Sequence, residues 1–345
     1  MLLRLPDSGE VAPVVRSQFD VPIVSLAPVI GGWDEDAAVW DGLDENGRRW
    51  AVKTSRRDIT FGLAVASSLA EEGTLGIVAP LRACDGRPWA ESGGAIVTVA
   101  PWVDGLDASD LGTEDVDWER FGGTLRAIHD HPAPPRPRPV RRGIRRSRRS
   151  MAALIDGLDR RFDVETISVP GGDALRATWR SARGRVDALA AAERLLKRRR
   201  TAVSRVTLHG DPHLGNVVLD SAGGPWLIDF DESTVAPREV DLMLIELGVL
   251  FSLPISDEQR CRFRTGYGSD APVDEERLAR FGAVRAIEDL VWTLHRALDD
   301  DPRAPAGYDE TLDGMLGPAG QMAAVERALE RLDTIPPRTT SKEQR

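Results

Sequence analysis

Leu208-His209-Gly210-Asp211-Pro212-His213-Leu214-Gly215-Asn216, followed by Trp226-Leu227-Ile228-Asp229-Phe230-Asp231, is the stretch that decides the fold. Short apolar runs at 206–208, 217–220 and 226–229 read as strands, the first two as a pair, with Gly223-Gly224-Pro225 turning the chain before the last. Asp211, Asn216 and Asp229 therefore fall on turns at strand ends, where loop backbone can bring three polar side chains together. On either side, residues 118–129, 173–200, 238–250 and 274–298 read as helices. Upstream, 22–54 holds three strand-like runs, PIVSLAPVI, AAVW and RWAVKT, separated by Gly31-Gly32 and by a turn at Asn46-Gly47. Phe61, Leu63, Ala64, Val65 and Leu69 give a helical face that stops at Gly73, and AIVTVAPWV at 95–103 is another strand, ended by Asp104-Gly105. The expected division is a sheet-plus-helix part at 1–103, a hinge at 100–105, a mainly helical part at 104–335 and a frayed tail at 336–345.

With 345 residues, 41% hydrophobic and 29% charged, the chain has room for a sizeable core and is too apolar to be largely disordered. Cys84 and Cys261 stand far apart without CxxC or Cys/His spacing, so buried or free thiols in a reducing compartment are expected. The start, MLLRLPDSGE, has no signal-peptide pattern, and the longest apolar run, 242–255, is broken by Glu246 and too short to span a bilayer. A cytoplasmic protein with no membrane span is the expectation. Net charge is -10, yet residues 131–150 hold eight arginines and no acid, which leaves 37 basic against 55 acidic residues elsewhere. Such a body repels polyanions and disfavours nucleic acid as a partner, whereas cationic small molecules suit it.

Phosphoryl transfer calls for the side chains gathered at 208–231. The transferred group spreads charge over its oxygens, Mg²⁺ at the phosphates takes hard oxygen ligands, and a further carboxylate orients the acceptor hydroxyl and takes its proton. Asn216 and Asp229 suit the metal and Asp211 the hydroxyl, with the Asp–Asn spacing of a protein-kinase catalytic loop. HGDxHxGN with a following IDFD resembles the aminoglycoside phosphotransferase family, a branch of the protein-kinase-like fold. LIDFDESTVAPREVDLM, GRRWAVKT and APLRACDGRPWAE with TVAPWVDG are similar to its spectinomycin phosphotransferase branch, in order from about Pro28 to about Asp289. The resemblance implies an α+β, two-lobed kinase-like fold: a small β-sheet-plus-helix lobe and a larger, mainly helical lobe, with nucleotide between them. It implies ATP, or GTP, and Mg²⁺ as cofactors, and a hydroxyl of an antibiotic-like natural product as acceptor, with resistance as the purpose. Residue by residue, Asp211 becomes the catalytic base, Asn216 and Asp229 the metal ligands, Lys53 the α/β-phosphate lysine, and His209 a brace of the loop. Gly31-Gly32 falls where the nucleotide-covering turn belongs, and main-chain groups of Ala100 and Trp102 meet the purine at the hinge. The helix glutamate expected to pair with Lys53 is missing: Glu71 and Glu72 lie at the helix's far end, and its first turns offer no carboxylate.

Each residue also has an ordinary reading. Asp211 alone would be a turn or capping residue, and Lys53 alone a solvated strand-end lysine. His213 braces the loop, touches a phosphate or fills a polar gap. Asp231, two residues after Asp229, is a second metal-facing acid or, with Glu232, a ligand for a cationic acceptor. Asp241 is a helix-start cap or a brace for the catalytic loop. Glu288 and Asp289 line the acceptor cleft or a solvated helix face. The Arg-rich segment 136–149 reads as an exposed arm that draws nucleotide to the cleft. Rival functions are a metabolite kinase for a sugar or amino alcohol and, outside enzymes, a nucleotide- or nucleic-acid-binding regulator. A protein kinase is disfavoured because IDFD replaces DFG and no APE-type segment follows. Monomer and homodimer are both open.

Overall fold

The computed structural model describes residues 5–29, 34, 36–135, 150–163, 167, 169–199, 202–250, 253–299 and 308–333. Gly31-Gly32, the segment 136–149 and the tail at 336–345 lie outside the described residues.

The N-terminal part begins with helix α1 (Ser8–Phe19), capped reciprocally by Asp7 and Glu10. This helix is not among those read from the sequence, and Pro13 sits inside it. Strands β1 (Ile23–Pro28), β2 (Ala37–Asp44) and β3 (Arg49–Ser55) follow, then α2 (Thr60–Glu71), β4 (Ala90–Ser92) and β5 (Ala95–Pro101). The strands form one antiparallel sheet in the order β1-β2-β3-β5-β4. Its buried face places Trp40, Trp50, Val52, Val97 and Val99 against Val11, Val15 and Phe19 of α1. The Asp44 carboxylate fixes the β2–β3 turn by accepting from the Asn46 and Arg48 amides and from the Trp50 indole.

The larger part runs β6 (Gly105–Asp107), α3 (Ala108–Leu111), α4 (Trp118–Asp130), α5 (Met151–Phe162) and α6 (Gly172–Arg198). It continues through β7 (Val206–Leu208), β8 (Val217–Asp220), β9 (Pro225–Leu227), β10 (Thr234–Ala236) and α7 (Glu239–Glu246). A short hairpin of β11 (Val249–Leu250) and β12 (Leu253–Pro254) leads to α8 (Asp257–Tyr267), α9 (Glu275–Leu298), α10 (Tyr308–Leu316) and α11 (Gln321–Asp333). Two cores serve it. One joins α4, α7 and α8 to the β8–β9 strands, and the other packs α5, α6, α9 and α11 together.

Three sequence readings are corrected. The runs at 206–208 and 217–220 do not pair with each other: β7 pairs with β10, and β8 lies between β6 and β9. The intervening loop is pinned away from a hairpin by buried partners far along the chain, described below. The strand read at 226–229 ends at Leu227, and the helix read to 250 ends at Glu246. Both cysteines are free, and both are exposed rather than buried. Among the described residues no helix is long and apolar enough to cross a membrane.

Helix α2 touches the loop that carries Asp229. A Cβ on Gly62 would sit 1.8 Å from the Phe230 carbonyl oxygen, so only a glycine lets the helix backbone rest there. Alanine favours an isolated helix over glycine by about 1 kcal/mol. Gly62→Ala is nevertheless expected to destabilise this protein by about 1–3 kcal/mol through forced separation of the two segments. Urea unfolding measures it, and an unchanged or raised midpoint would refute the close contact.

Candidate active site

The loop after β7 is fixed from beneath. Asp241 is fully buried and takes the amide hydrogens of His209 and Gly210 at 2.9 and 3.0 Å. Arg238, not Asp241, occupies the N-cap of α7, so of the two readings Asp241 takes the brace. The His209 ring is also fully buried, and burial pushes its pKa down. Its Nε2 donates to the Ile228 carbonyl at 3.0 Å, which leaves Nδ1 to accept from the Asp211 amide at 3.3 Å. One neutral imidazole thereby joins the Asp211 loop to the strand end before Asp229. Gly210, at φ 98, crosses the Glu232 carbonyl so closely that a Cβ would stand 2.1 Å from that oxygen.

Asp211, Asn216 and Asp229 come together as expected from their spacing. The Asn216 side-chain amide donates to the Asp211 carbonyl at 2.9 Å, and the Ile228 amide donates to the Asn216 carbonyl at 3.0 Å. His213 accepts the Gly215 amide on Nδ1 at 3.0 Å, and its Nε2 lies 3.5 Å from Asp211 Oδ2. Arg285, on α9, was missed: its Nη1 lies 2.7 Å from Asp211 Oδ1, and its Nε donates to Asp289 Oδ2 at 2.8 Å. Burial pushes the Asp211 acid up, but Arg285 and His213 outweigh it and hold the carboxyl well below the usual range. The sequence signal for Arg285 is faint, since an Arg four residues before an Asp on a helix is a common surface pair.

Asp229 is one of two described non-glycine residues with positive φ, at 60°. Its carboxylate accepts from the Asp231 amide at 3.3 Å, a local bond that stabilises this left-handed turn. Lys53, on β3, reaches Asp229 Oδ1 and Asp231 Oδ2, each at 2.9 Å. Burial works against the ammonium charge, but the two carboxylates keep it protonated. Burial and the neighbouring Asp229 charge push Asp231 up, while Lys53 draws Asp229 down against its own burial. The Asp229 side chain is 40% exposed, against 9% for Asp231. Asp229 is thus partly open to solvent and Asp231 is turned inward onto the lysine.

This arrangement corrects several candidates. Asp231 is engaged by Lys53, and Glu232 is ion-paired with Arg57, whose other amine reaches Asp34 at 2.7 Å. Both carboxylates are thus held by cations of the N-terminal part. Glu71 pairs with Arg82, and Glu72 meets His131 at 3.1 Å, so neither partners Lys53. Among the described residues the carboxylates that Lys53 meets are Asp229 and Asp231. Ala100 pairs with Ala51 of β3, and the Trp102 amide donates to the Arg49 carbonyl at 3.2 Å. The Ala100 pairing and the Trp102 amide thus face β3, and by the alternation of an antiparallel ladder the Pro101 carbonyl faces the other way. Asp289 lies on the Arg285 face of α9, whereas Glu288 is exposed.

The oxygens present suit a hard divalent cation. The bond from the Asn216 amide nitrogen fixes the plane of that group and leaves Oδ1 for another partner, and the neighbouring Asp229 carboxylate is half open to solvent. Mg²⁺ takes one or two protein carboxylates with water and substrate phosphates, so this sparse set fits it. A cage of three or more His, Cys, Asp or Glu side chains is absent among the described residues.

A search of the curated proteins finds no match to this sequence. Among solved structures, spectinomycin phosphotransferase in complex with ADP and spectinomycin matches with a TM-score of 0.78 at 17% identity, covering 96% of this chain and 100% of that one. A microcompartment-associated aminopropanol kinase matches with a TM-score of 0.59 at 17% identity, over 94% of this chain and 98% of its own. An aminoglycoside phosphotransferase from Alicyclobacillus acidocaldarius gives 0.57 at 17%, over 97% and 98%. At such identities the likeness is one of fold, and the fold is the expected kinase-like one. The model of the phosphotransferase enzyme family matches residues 25–281. The chain, with its braced Asp–Asn loop and its second Asp set on a lysine from the sheet, belongs to that family.

Proposed function

We propose that the protein is a Mg²⁺-dependent kinase that transfers the γ-phosphoryl group of ATP, or of GTP, to a hydroxyl of a small antibiotic-like molecule. The observation that carries this reading is the convergence of Asp211, Asn216, Asp229 and Lys53, linked directly or through Ile228 by bonds of 2.9–3.0 Å. Lys53 would hold the α/β-phosphates, and the nucleotide would lie between the sheet and the helical part, its purine toward the 100–105 connection. Asn216 Oδ1 and Asp229 would hold Mg²⁺, which when bound supplies charge neutralisation at the phosphate oxygens. Asp211, with an oxygen toward the acceptor, would orient the hydroxyl and take its proton as the new O–P bond forms. Inactivation of an antibiotic is the proposed purpose. A metabolite kinase for an amino alcohol is the second reading, favoured by the aminopropanol kinase among the fold's relatives.

The test is ATP and GTP consumption with Mg²⁺ against aminocyclitol, aminoglycoside, nucleoside and macrolide antibiotics and simple amino alcohols, with mass spectrometry of each acceptor. A phosphate adduct on an antibiotic is the expected result. An adduct on an amino alcohol alone would select the second reading, and absence of nucleotide binding would overturn both.

A further inference from the structure

We propose that Arg285, anchored by Asp289, is a positioning residue that holds the Asp211 carboxylate in its reactive orientation. The inference rests on the reading of Asp211 as the base. The bonds described above pin the main chain of the Asp211 loop, but they do not fix the Asp211 side chain about its own torsions. That task falls to the guanidinium of Arg285, 74 residues further along the chain. Its Nη1 meets Asp211 Oδ1 at 2.7 Å and its Nε meets Asp289 Oδ2 at 2.8 Å. Arg285 and Asp289 lie one turn apart on α9, so the anchor and the clamp belong to one rigid element. The planar fork of an arginine engages two carboxylates from two of its edges, so the seat of one sets the place of the other.

The chemistry asks for this kind of support. In a loose phosphoryl-transfer transition state the acceptor proton leaves late, so the carboxylate's first duties are to stay ionised and to point correctly. Arginine meets both without competing for the proton, because it does not deprotonate in the working range. With Oδ1 taken, Oδ2 is the oxygen left to the acceptor. His213 Nε2, at 3.5 Å from Oδ2, is a longer and weaker contact than the 2.7 Å one from Arg285.

The test compares wild type with Arg285→Lys, Asp289→Asn, Asp211→Asn and the double variant Arg285→Lys with Asp211→Asn. Lysine keeps the charge but cannot span both carboxylates. Arg285→Lys is expected to lower kcat by about 10- to 100-fold, since an ångström of misplacement costs on that order. Acceptor KM and nucleotide affinity should stay within about threefold, as for an interaction made only in the transition state. Asp289→Asn should lower kcat by a smaller factor in the same pattern. In the Asp211→Asn background Arg285→Lys should have no further effect, because the group it positions has gone. Wild-type kcat in Arg285→Lys overturns the proposal. So does an equal loss in both backgrounds, which marks a group that touches the phosphoryl itself or only supports the fold, and thermal unfolding separates those two. If wild type phosphorylates no acceptor, the phosphotransfer reading fails first, before any Arg285 variant is compared.

Discussion

Asp211→Asn is expected to cut kcat by about 10²-fold or more, the usual cost of losing a general base, while nucleotide binds as in wild type. The asparagine keeps the size of the side chain and can still accept from Arg285, but it cannot take a proton. The Asp211 carbonyl, which holds the Asn216 amide at 2.9 Å, is unchanged by the substitution, so Asn216, proposed as a metal ligand, stays in place. Asp229→Ala contrasts with it. That variant removes the carboxylate partly open to solvent and one of the two acids that hold Lys53. Both turnover and Mg²⁺-dependent nucleotide affinity should fall. Steady-state kinetics with calorimetric ATP titrations, with and without Mg²⁺, distinguish the two variants. An equal loss of nucleotide binding in both would contradict the assignment of base and metal ligand.

What the sequence discloses follows from how far apart the partners lie. Asp211, Asn216 and Asp229 fall within one short stretch, and the chemistry of three hard oxygens on two turns is visible in the residues themselves. Lys53 is legible only through the resemblance of GRRWAVKT to the family's small lobe, since a lysine on a strand such as β3 is by itself ordinarily solvated. The missing helix glutamate is legible as an absence, but the contact of Asp231 with Lys53 is not. Asp231 sits inward on Lys53 only because α2 presses on Phe230 through Gly62 and the Asp229 backbone turns left-handed. Arg285 reads as one more arginine on a charged helix, since its meeting with Asp211 depends on how α9 packs beneath the loop. The mispaired strands have the same cause. Pairing 206–208 with 217–220 follows proximity in sequence, whereas β7 takes β10 because His209 and Gly210 are tied down to Asp241.

Asp241 is where fold and site depend most heavily on one side chain. Beyond the two loop amides, its Oδ2 lies 3.1 Å from His129 Nε2, and His129 Nδ1 lies 2.7 Å from the Tyr267 hydroxyl. A carboxylate can only accept, so Nε2 donates to Asp241, and Nδ1 faces the Tyr267 hydroxyl and its proton. Burial pushes the Tyr267 phenol up to about 12, which keeps that proton in place. The chain of bonds ties α8 through α4 to α7 and the Asp211 loop. Asp241→Ala would strip three buried donors of their acceptor at once. Removing one partner of a buried charged cluster costs about 3–5 kcal/mol, a large share of the 5–15 kcal/mol that holds a typical domain. Asp241→Asn keeps the shape and one accepting oxygen, but turns an NH₂ group toward a donor, at about 1–3 kcal/mol. Tyr267→Phe deletes one neutral hydrogen bond and should cost about 1 kcal/mol. Urea unfolding should therefore rank the variants Asp241→Ala, Asp241→Asn, Tyr267→Phe from least to most stable, and another order would refute the bonding scheme. Asp241 bonds the amides of His209 and Gly210, immediately before Asp211. Asp241→Asn should therefore lower kcat even where it remains folded, whereas Tyr267→Phe, two bonds further from the loop, should leave kcat close to wild type.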